Sequence, residues 1–330
     1  MTDVKKELSE ISKELEPAIR AYIEDDVPAN LIEACRQYPY AGGKRMRPAM
    51  TVTACGAVGG NREDAVPLAV AIEYIHNFTL VHDDMMDGDE MRRGMPTSHA
   101  KYGPQTAMLA GDALFAKAFN IISKMDVPPE VSKKIMGKVS EAVWDLARGQ
   151  QMDVNNENAG TDVGMDDYIE TIRLKTGVLF AAGAECGALV GGADDATAEA
   201  VYNYAEAMGV AFQMFDDILG IYGDSGKTGK SSGNDIRKGK TTVMICHFLK
   251  QNRGGPEFHR LRSILGKADA SDAEIDEVRK MLKDSGSYDF ALRMAKEYVD
   301  AAKSELDCLP AGREKDFMAA LAEYAMDRDV

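Results

Sequence analysis

The apolar positions of this chain recur every three or four residues along nearly its whole length, and almost no segment alternates with a period of two. This periodicity is typical of amphipathic helices packed into a bundle. The helices are predicted near residues 4–24, 28–37, 45–58, 62–88, 104–125, 129–154, 167–190, 195–222, 240–252, 256–266, 271–284, 288–307 and 312–327. Asp167 with Glu170, and Ser271 with Glu274, have the spacing of capping boxes. Short links punctuated by Gly or Pro join the helices, so we expect one all-α domain over residues 1–330.

Charge and cysteine content narrow the class of partner and the compartment. The formal net charge of −15 disfavours nucleic acid and anionic membrane surfaces, because both would repel the protein. The five cysteines are scattered singly without a CxxC pair, which is typical of a reducing compartment. The N-terminus lacks the apolar segment of a signal peptide, and no apolar run is long enough to span a bilayer. We therefore expect a cytoplasmic protein without stable membrane insertion.

The stretch HDDMMDGDE, residues 82–90, ends an apolar helical segment with clustered carboxylates. Asp83 and Asp87 are four residues apart and share one helical face, where they repel each other unless a cation lies between them. Mg²⁺ is the simplest candidate, because it prefers oxygen ligands and fills its other positions with water and phosphate oxygens. A solvated acidic helix end is the alternative. An EF-hand is excluded, since its third and twelfth loop positions would be Met85 and Gly94.

A second acidic pair, Asp216 and Asp217, ends the apolar helical run AFQMFDDILGIYGD. Two such clusters, far apart in sequence and each on an otherwise apolar helix, favour a bundle whose central cavity has carboxylates on facing walls.

A basic segment, AGGKRMRPAM, begins another predicted helix. Lys44, Arg45 and Arg47 follow Gly42 and Gly43, and cations at a helix N-terminus oppose the helix dipole. A bound diphosphate, held by these side chains and by backbone N–H groups, would explain their placement. An ordinary basic helix start is an equal alternative on this segment alone.

Further candidates flank the acidic clusters. Arg92 and Arg93 follow the first cluster and could bind phosphate or pair with nearby acids. His76 precedes Asp83 by seven residues, so the two lie within about 20° on an ideal helix, although a structural role is the alternative. Lys175 and Thr176 precede Gly177 within a predicted helix, where a kink would free backbone carbonyls.

The loop GDSGKTGKSSGND, residues 223–235, imitates a P-loop. It lacks the first glycine of that motif and follows a helix, so we reject nucleotide binding. Lys227, Lys230 and Lys240 could still close over a phosphate group.

The segments GGKRMRP, HNFTLVHDDMMD, RRG, GQQMD, LKTG, FQMFDDILG and IRKGK occur in the order of the trans-isoprenyl diphosphate synthases, which the chain resembles over nearly its whole length. The resemblance implies an all-α bundle of the isoprenoid synthase type, a homodimer, and head-to-tail condensation of isopentenyl diphosphate with an allylic diphosphate of C5 to C15. Metals and cationic side chains would stabilise the departing diphosphate, and apolar walls would protect the carbocation from water.

The resemblance also implies a role for each matching residue. About three Mg²⁺ ions with bound diphosphate would be held by Asp83, Asp87 and Asp216, supported by Asp84 and Asp217. The allylic diphosphate would be gripped by Arg92, Lys175, Lys230 and Lys240. Isopentenyl diphosphate would be held by Lys44, Arg47, His76 and Arg93. The reacting carbons would lie beside Gln213 and the backbone near Thr176.

One departure from the family pattern is Gly220, which replaces the last aspartate of the second motif. Asp224 lies past two glycines, Gly220 and Gly223, and is not expected to substitute for it.

Product length is expected to depend on Phe78 and Thr79, which resemble the archaeal-type pattern for the C20 product geranylgeranyl diphosphate. The alternatives are Phe78 as an ordinary core residue, and a farnesyl, C25 or mixed product. A class I terpene cyclase and a non-catalytic partner subunit are less favoured, because GGKRMRP and both acidic clusters are present.

Overall fold

A computed structural model describes residues 3–159, 163–223 and 233–326. It confirms the all-α prediction: the described residues are almost entirely helical, with one two-stranded hairpin. The α-helices are α1 (Val4–Ala21), α2 (Ala29–Tyr40), α3 (Met46–Ala57), α4 (Val66–Asp87), α5 (Ser98–Tyr102), α6 (Pro104–Ile122), α7 (Pro129–Ala159), α8 (Met165–Ile172), α9 (Val178–Val190), α10 (Asp195–Tyr222), α11 (Asn234–Lys238), α12 (Val243–Gln251), α13 (Pro256–Ile264), α14 (Asp272–Asp284), α15 (Ser287–Glu305) and α16 (Arg313–Tyr324). The hairpin pairs β1 (Met91–Arg92) with β2 (Met95–Pro96), and 3₁₀ turns cover Arg62–Ala65 and Leu306–Cys308.

Differences from the predicted elements have local causes. The predicted helix 167–190 begins at Met165 and contains a π-helical turn, Arg173–Gly177, between α8 and α9. The predicted capping box of Asp167 with Glu170 is wrong. Asp167 lies inside α8, and its Oδ2 accepts a hydrogen bond from the backbone N–H of Gly164 at 3.3 Å. The box of Ser271 with Glu274 is confirmed, because each side chain accepts the other residue's backbone N–H.

By contacts, the described chain divides into two compact units. The first comprises residues 1–143, 179–203 and 306–321. Its central element is α4, which packs against α1, α2, α3, α5 and α6 and buries a continuous apolar run from Leu68 to Ala71. Glycines allow close packing here: a Cβ at Gly187 of α9 would lie 2.2 Å from the Thr51 carbonyl oxygen of α3.

The second unit comprises residues 144–178, 204–305 and 322–330, of which 160–162, 224–232 and 327–330 lie outside the described residues. Its core contains apolar side chains from α8, from the C-terminal half of α10 and from α12 to α15, among them Met214, Ile218, Phe248 and Val278. α12 packs against both α8 and α15. A single domain over residues 1–330 stays a prediction.

None of the helices in residues 3–159, 163–223 and 233–326 combines the length and the apolar character needed to cross a bilayer.

Candidate active site

The first acidic cluster lies at the C-terminal end of α4. The helix ends at Asp87 because Gly88 adopts a left-handed conformation, with φ of 64°, and its N–H caps the Asp84 carbonyl. Asp83 is half-buried and Asp87 is exposed, whereas Asp84 is buried. Asp83 and Asp84 are one residue apart and point about 100° away from each other. Asp83 and Asp87, the two carboxylates predicted to hold metal, therefore lie on one face of α4, and Asp84 lies on a different face.

Asp84 is the anchor of the hairpin that follows α4. Arg92 donates to both of its carboxylate oxygens, at 2.6–2.8 Å, and the Tyr38 hydroxyl donates to Oδ2. The Ser98 backbone N–H donates in turn to the Tyr38 hydroxyl. Burial lowers the pKa of Arg92, but the hydrogen bonds and charge of Asp84 raise it by more. Arg92 thus holds the hairpin to α4, and its predicted contact with an allylic diphosphate stays a prediction.

Three of the predicted isopentenyl diphosphate residues, Arg47, His76 and Arg93, lie near one another on the first unit. Arg93 and Gly94 have positive φ, as a two-residue turn of type I′ requires, and the Arg93 side chain folds back onto the loop before α3. Its Nη1 donates to the Gly42 carbonyl at 2.9 Å, and a Cβ at Gly43 would lie 2.9 Å from that nitrogen. Arg47, in the first turn of α3, has its Nη1 3.5 Å from Nε2 of His76 on α4.

The charge state of His76 follows from this setting. Burial, followed by the positive charges of Arg47, Arg93 and Arg92, lowers the pKa of His76 well below its usual value. The ring is therefore neutral at pH 7, and Nε2 can accept the Arg47 N–H. Burial and the charge of Arg92 also lower the pKa of Arg93. Several cationic groups are held together in this region, which favours binding of a polyanion.

Arg45 differs from its neighbours in the same basic segment. It has φ of 47° just before α3, and its buried guanidinium bonds Glu73, Glu16 and the Pro39 carbonyl. Arg45 therefore has a structural role. Lys44, by contrast, is exposed.

The two predicted chain-length residues lie one turn below Asp83 on α4. The Phe78 ring packs edge-on against His82 of the same helix and Phe115 of α6, with centroids 5.7 and 5.5 Å apart. Phe115 continues the cluster to Phe119. Thr79 turns its hydroxyl to the His76 carbonyl at 2.8 Å. Phe78 is thus an aromatic contact between α4 and α6.

In the second unit, the π-helical turn positions Lys175 and Thr176. The sequence hypothesis of a kink beside Gly177 appears here as this departure from α-helical hydrogen bonding. Lys175 Nζ bonds Asp153 Oδ2 of α7 at 2.5 Å. The α7 backbone comes this close because Gly149 has no side chain: a Cβ there would lie 2.4 Å from the Lys175 nitrogen. The GQQMD and LKTG segments therefore form one local structure.

A hydrogen-bonded chain connects the π-helical turn to the second acidic pair. Thr176 Oγ1 donates to Gln213 Oε1 at 2.9 Å, Gln213 Nε2 donates to Asp217 Oδ1 at 3.0 Å, and the Tyr168 hydroxyl donates to Asp217 Oδ2 at 2.7 Å. Burial raises the pKa of Asp217 to about 7, although the bonds from Gln213 and Tyr168 and the charge of Lys240 oppose the shift. Asp217 therefore orients its neighbours, while Asp216 lies on another face of α10.

Of the predicted lysines Lys230 and Lys240, only Lys240 lies within the described residues. Lys240 follows α11, and its backbone N–H donates to the Asp235 carbonyl at 2.9 Å. Lys230, together with Lys227 and Asp224, lies outside the described residues.

The donor chemistry of the first cluster fits a divalent cation of the magnesium type. Among the described residues, no three His, Cys, Asp or Glu side chains form a metal cage. Mg²⁺ does not require one, because it is usually bound through one or two carboxylates plus water and substrate phosphate. Asp83 and Asp87, one turn apart on a helix face that Asp84 does not share, provide such a pair. The meeting of this pair with Asp216 across one cavity stays a prediction.

Comparison with known proteins decides the family. The polyprenyl synthetase family model matches residues 28–282. This chain belongs to the polyprenyl synthetase family. It is 39% identical to the geranylgeranyl pyrophosphate synthase of Geoglobus acetivorans, over 98% of this chain and 99% of that protein. It is 36% identical to the geranylfarnesyl diphosphate synthase of Natronomonas pharaonis, over 91% of each chain.

Solved structures agree with this membership. The crystal structure of geranylgeranyl pyrophosphate synthetase from Pyrococcus horikoshii matches with a TM-score of 0.94 and 37% identity, over 99% of this chain and 100% of that one. The chain is therefore a short-chain prenyltransferase of the polyprenyl synthetase family.

Sequence reasoning missed several polar residues at these sites. Tyr38 and Tyr168 bond the supporting aspartates from distant helices, and no local signal identifies either. Asp153 lies in GQQMD, a segment that contributed to the family resemblance, but its pairing with Lys175 required the tertiary structure.

Proposed function

We propose that the protein condenses isopentenyl diphosphate head-to-tail with an allylic diphosphate to give geranylgeranyl diphosphate. The observation that carries this proposal is the basic site formed by Arg93, which bonds the Gly42 carbonyl, and by Arg47 beside His76, in the same unit as Asp83 and Asp87. A synthase must hold two diphosphates, one of them without ionising it. A basic site next to a separate carboxylate pair supports this division of roles.

The proposed roles combine these contacts with the resemblance to the family. Lys44, Arg47, His76 and Arg93 bind isopentenyl diphosphate, with the neutral His76 keeping Arg47 oriented. Asp83, Asp87 and Asp216 would hold the Mg²⁺ ions, which neutralise charge on the departing allylic diphosphate when bound. Lys175, Lys230, Lys240 and Arg92 are proposed to grip that diphosphate. Asp153 holds Lys175 in position, and Asp84 holds Arg92.

Thr176 and Gln213 are proposed to lie beside the reacting carbons. Their hydrogen bond to each other, and that from Gln213 to Asp217, leaves few groups able to attack a carbocation. An allylic cation survives only where such nucleophiles are occupied and water is excluded. The polar groups of this network would therefore stabilise charge without reacting with it.

A C20 product is proposed from Phe78 and Thr79. Phe78 lies five residues before Asp83 on α4, which is about 7.5 Å along the helix axis. A chain that grows along α4 would meet its ring, which Phe115 supports from α6. A geranylgeranyl relative at 39% identity supports this length, while the geranylfarnesyl relative at 36% keeps C25 as the alternative.

A homodimer through α6 is also proposed. Met108, Leu109 and Phe115 are large apolar side chains exposed on this helix. On an ideal helix Met108 and Phe115 lie within about 20° of each other and Leu109 lies about 100° from Met108, so the three span about a third of the helix circumference. The same surface on a second copy would bury them. Leu109→Glu should then convert a dimer to a monomer in light scattering, whereas Met91→Glu on the hairpin should not. A cytoplasmic location stays a prediction.

The activity is tested with radiolabelled isopentenyl diphosphate, offered with C5, C10 or C15 allylic diphosphates and Mg²⁺. Chain elongation that ends at C20 is expected. A cyclic hydrocarbon from the allylic substrate alone would indicate a terpene cyclase. No turnover by the isolated chain would indicate a subunit that needs a catalytic partner. Arg47→Ala should raise the KM for isopentenyl diphosphate more than that for the allylic substrate.

A further inference from the structure

Gly220 stands where the second aspartate-rich motif would carry its last carboxylate. Residues 216 and 220 are one turn apart on α10, so a side chain at 220 would emerge about 5–6 Å from that of Asp216. Another carboxylate already occupies this position. A Cβ at Gly220 would lie 1.8 Å from Oδ2 of Asp235 and 2.8 Å from its Cγ. Only glycine at position 220 therefore leaves room for the Asp235 side chain where it lies.

Asp235 is held there by α11 and not by α10. Gly233 and Gly239, both with positive φ, end this short helix on either side. Its Ile236 is buried in the core of the second unit and accepts a backbone hydrogen bond from Gly266 at 2.9 Å. Arg237 bonds the Ala270 carbonyl and Asp272. The Asp235 carboxylate thus lies against α10 because α11, which has its own contacts with the core, holds it there.

We propose that Asp235 supplies the carboxylate that position 220 lacks, and that it acts beside Asp216 on the divalent metals of the diphosphate site. The inference rests on the proposed function, because it assigns a further residue to the same site. Asp235 takes the place of the motif residue in space, although it comes from a segment that follows α10 in sequence. A carboxylate here increases the negative charge available to a hard cation, as a third aspartate on α10 would.

The structure provides a reciprocal test. Asp235→Asn keeps the shape of the side chain but removes its charge. Gly220→Asp restores the family aspartate, yet its Cβ would collide with Asp235, so this variant should also bind metal poorly. The double variant Gly220→Asp with Asp235→Gly moves the carboxylate from α11 to α10 and removes the collision. Asp269→Asn, at an exposed loop position in the same unit, is the control.

Binding of inorganic pyrophosphate is measured by calorimetry for each variant, with and without excess MgCl₂. Asp235→Asn should weaken the Mg²⁺-dependent binding by about 10- to 100-fold, the range for residues that support a metal site. Gly220→Asp should weaken it similarly, the double variant should return to within about threefold of the parent, and the control should be unchanged.

The inference is overturned if Asp235→Asn binds pyrophosphate with Mg²⁺ as the parent does, whether or not its thermal stability falls, because that result assigns Asp235 a structural role. It is overturned as well if a folded double variant recovers no binding. If the double variant does not fold, the comparison of Asp235→Asn with the control decides. Absence of Mg²⁺-dependent binding in the parent would instead refute the proposed function.

Discussion

Arg92→Ala should destabilise the first unit far more than the same change at its neighbour Arg93. Arg92 makes the hydrogen bonds of 2.6–2.8 Å to Asp84, whose side chain is 1% exposed. Without Arg92, the buried carboxylate keeps Tyr38 as its only donor among the described residues, and an uncompensated buried charge costs about 3–5 kcal/mol. Arg92 is itself 26% exposed, so water can partly replace it and we expect a loss of about 2–4 kcal/mol.

Arg93 is the matched control, since it lies on the same hairpin and its side chain donates to the Gly42 carbonyl. Its removal should cost about 1 kcal/mol, the net value of an ordinary hydrogen bond. Both variants are compared with the parent by denaturant unfolding followed by circular dichroism. The unfolding transition that reports on the first unit is compared, because a chain with two compact units need not unfold in one step.

A third variant tests the electrostatic reasoning directly, through the sign of its change in stability relative to Arg92→Ala. Adding Asp84→Asn to Arg92→Ala removes the buried charge that lost its partner, so the double variant should be more stable than Arg92→Ala alone. Equal stability of the two arginine variants, or a further loss in the double variant, would refute the assignment of Arg92 as the partner of Asp84.

Three further predictions follow from single positions. Phe78→Ala should lengthen the product in a chain-length assay, because it removes the ring between α4 and α6, and an unchanged product distribution would exclude Phe78 as the determinant. The pKa of His76 is lowered in the folded state, so on acidification the unfolded chain takes up a proton first, near pH 6.5. His76 should therefore lower the free energy of unfolding by about 1.4 kcal/mol near pH 5.5. Between about pH 7.5 and 5.5, the His76→Gln variant should lose about 1.4 kcal/mol less unfolding free energy than the parent does. Equal losses in the parent and the variant would refute this prediction. Gly187→Ala should cost about 1–3 kcal/mol in denaturant unfolding, because its Cβ meets the Thr51 carbonyl, whereas Gly137→Ala, with open space around it, should be neutral or stabilising.

The sequence determined the elements because their signals are local. Apolar spacing identified the longer helices to within a few residues but missed the five-residue helices α5 and α11, which are too short to show a period. The box of Ser271 with Glu274 marked a true helix start. At Asp167 the sequence predicted the helix start too late, because Asp167 lies inside α8 and Gly164 is the N-cap. It also anticipated a disturbed helix at Gly177, since glycine is a weak helix former there.

Only the tertiary structure decided which charged side chains are committed to partners. Arg45 and Arg47 are equivalent in a basic segment, yet Arg45 is buried against Glu73 and Glu16 while Arg47 lies beside His76. Asp83 and Asp84 are adjacent, yet Asp84 alone is enclosed by Arg92 and Tyr38. In the sequence, Gly220 indicates only that a carboxylate is missing, whereas the structure shows the Asp235 carboxylate next to Gly220. Periodicity records which face of a helix is buried, but hydrogen-bond partners depend on contacts between residues distant in sequence, which no local pattern encodes.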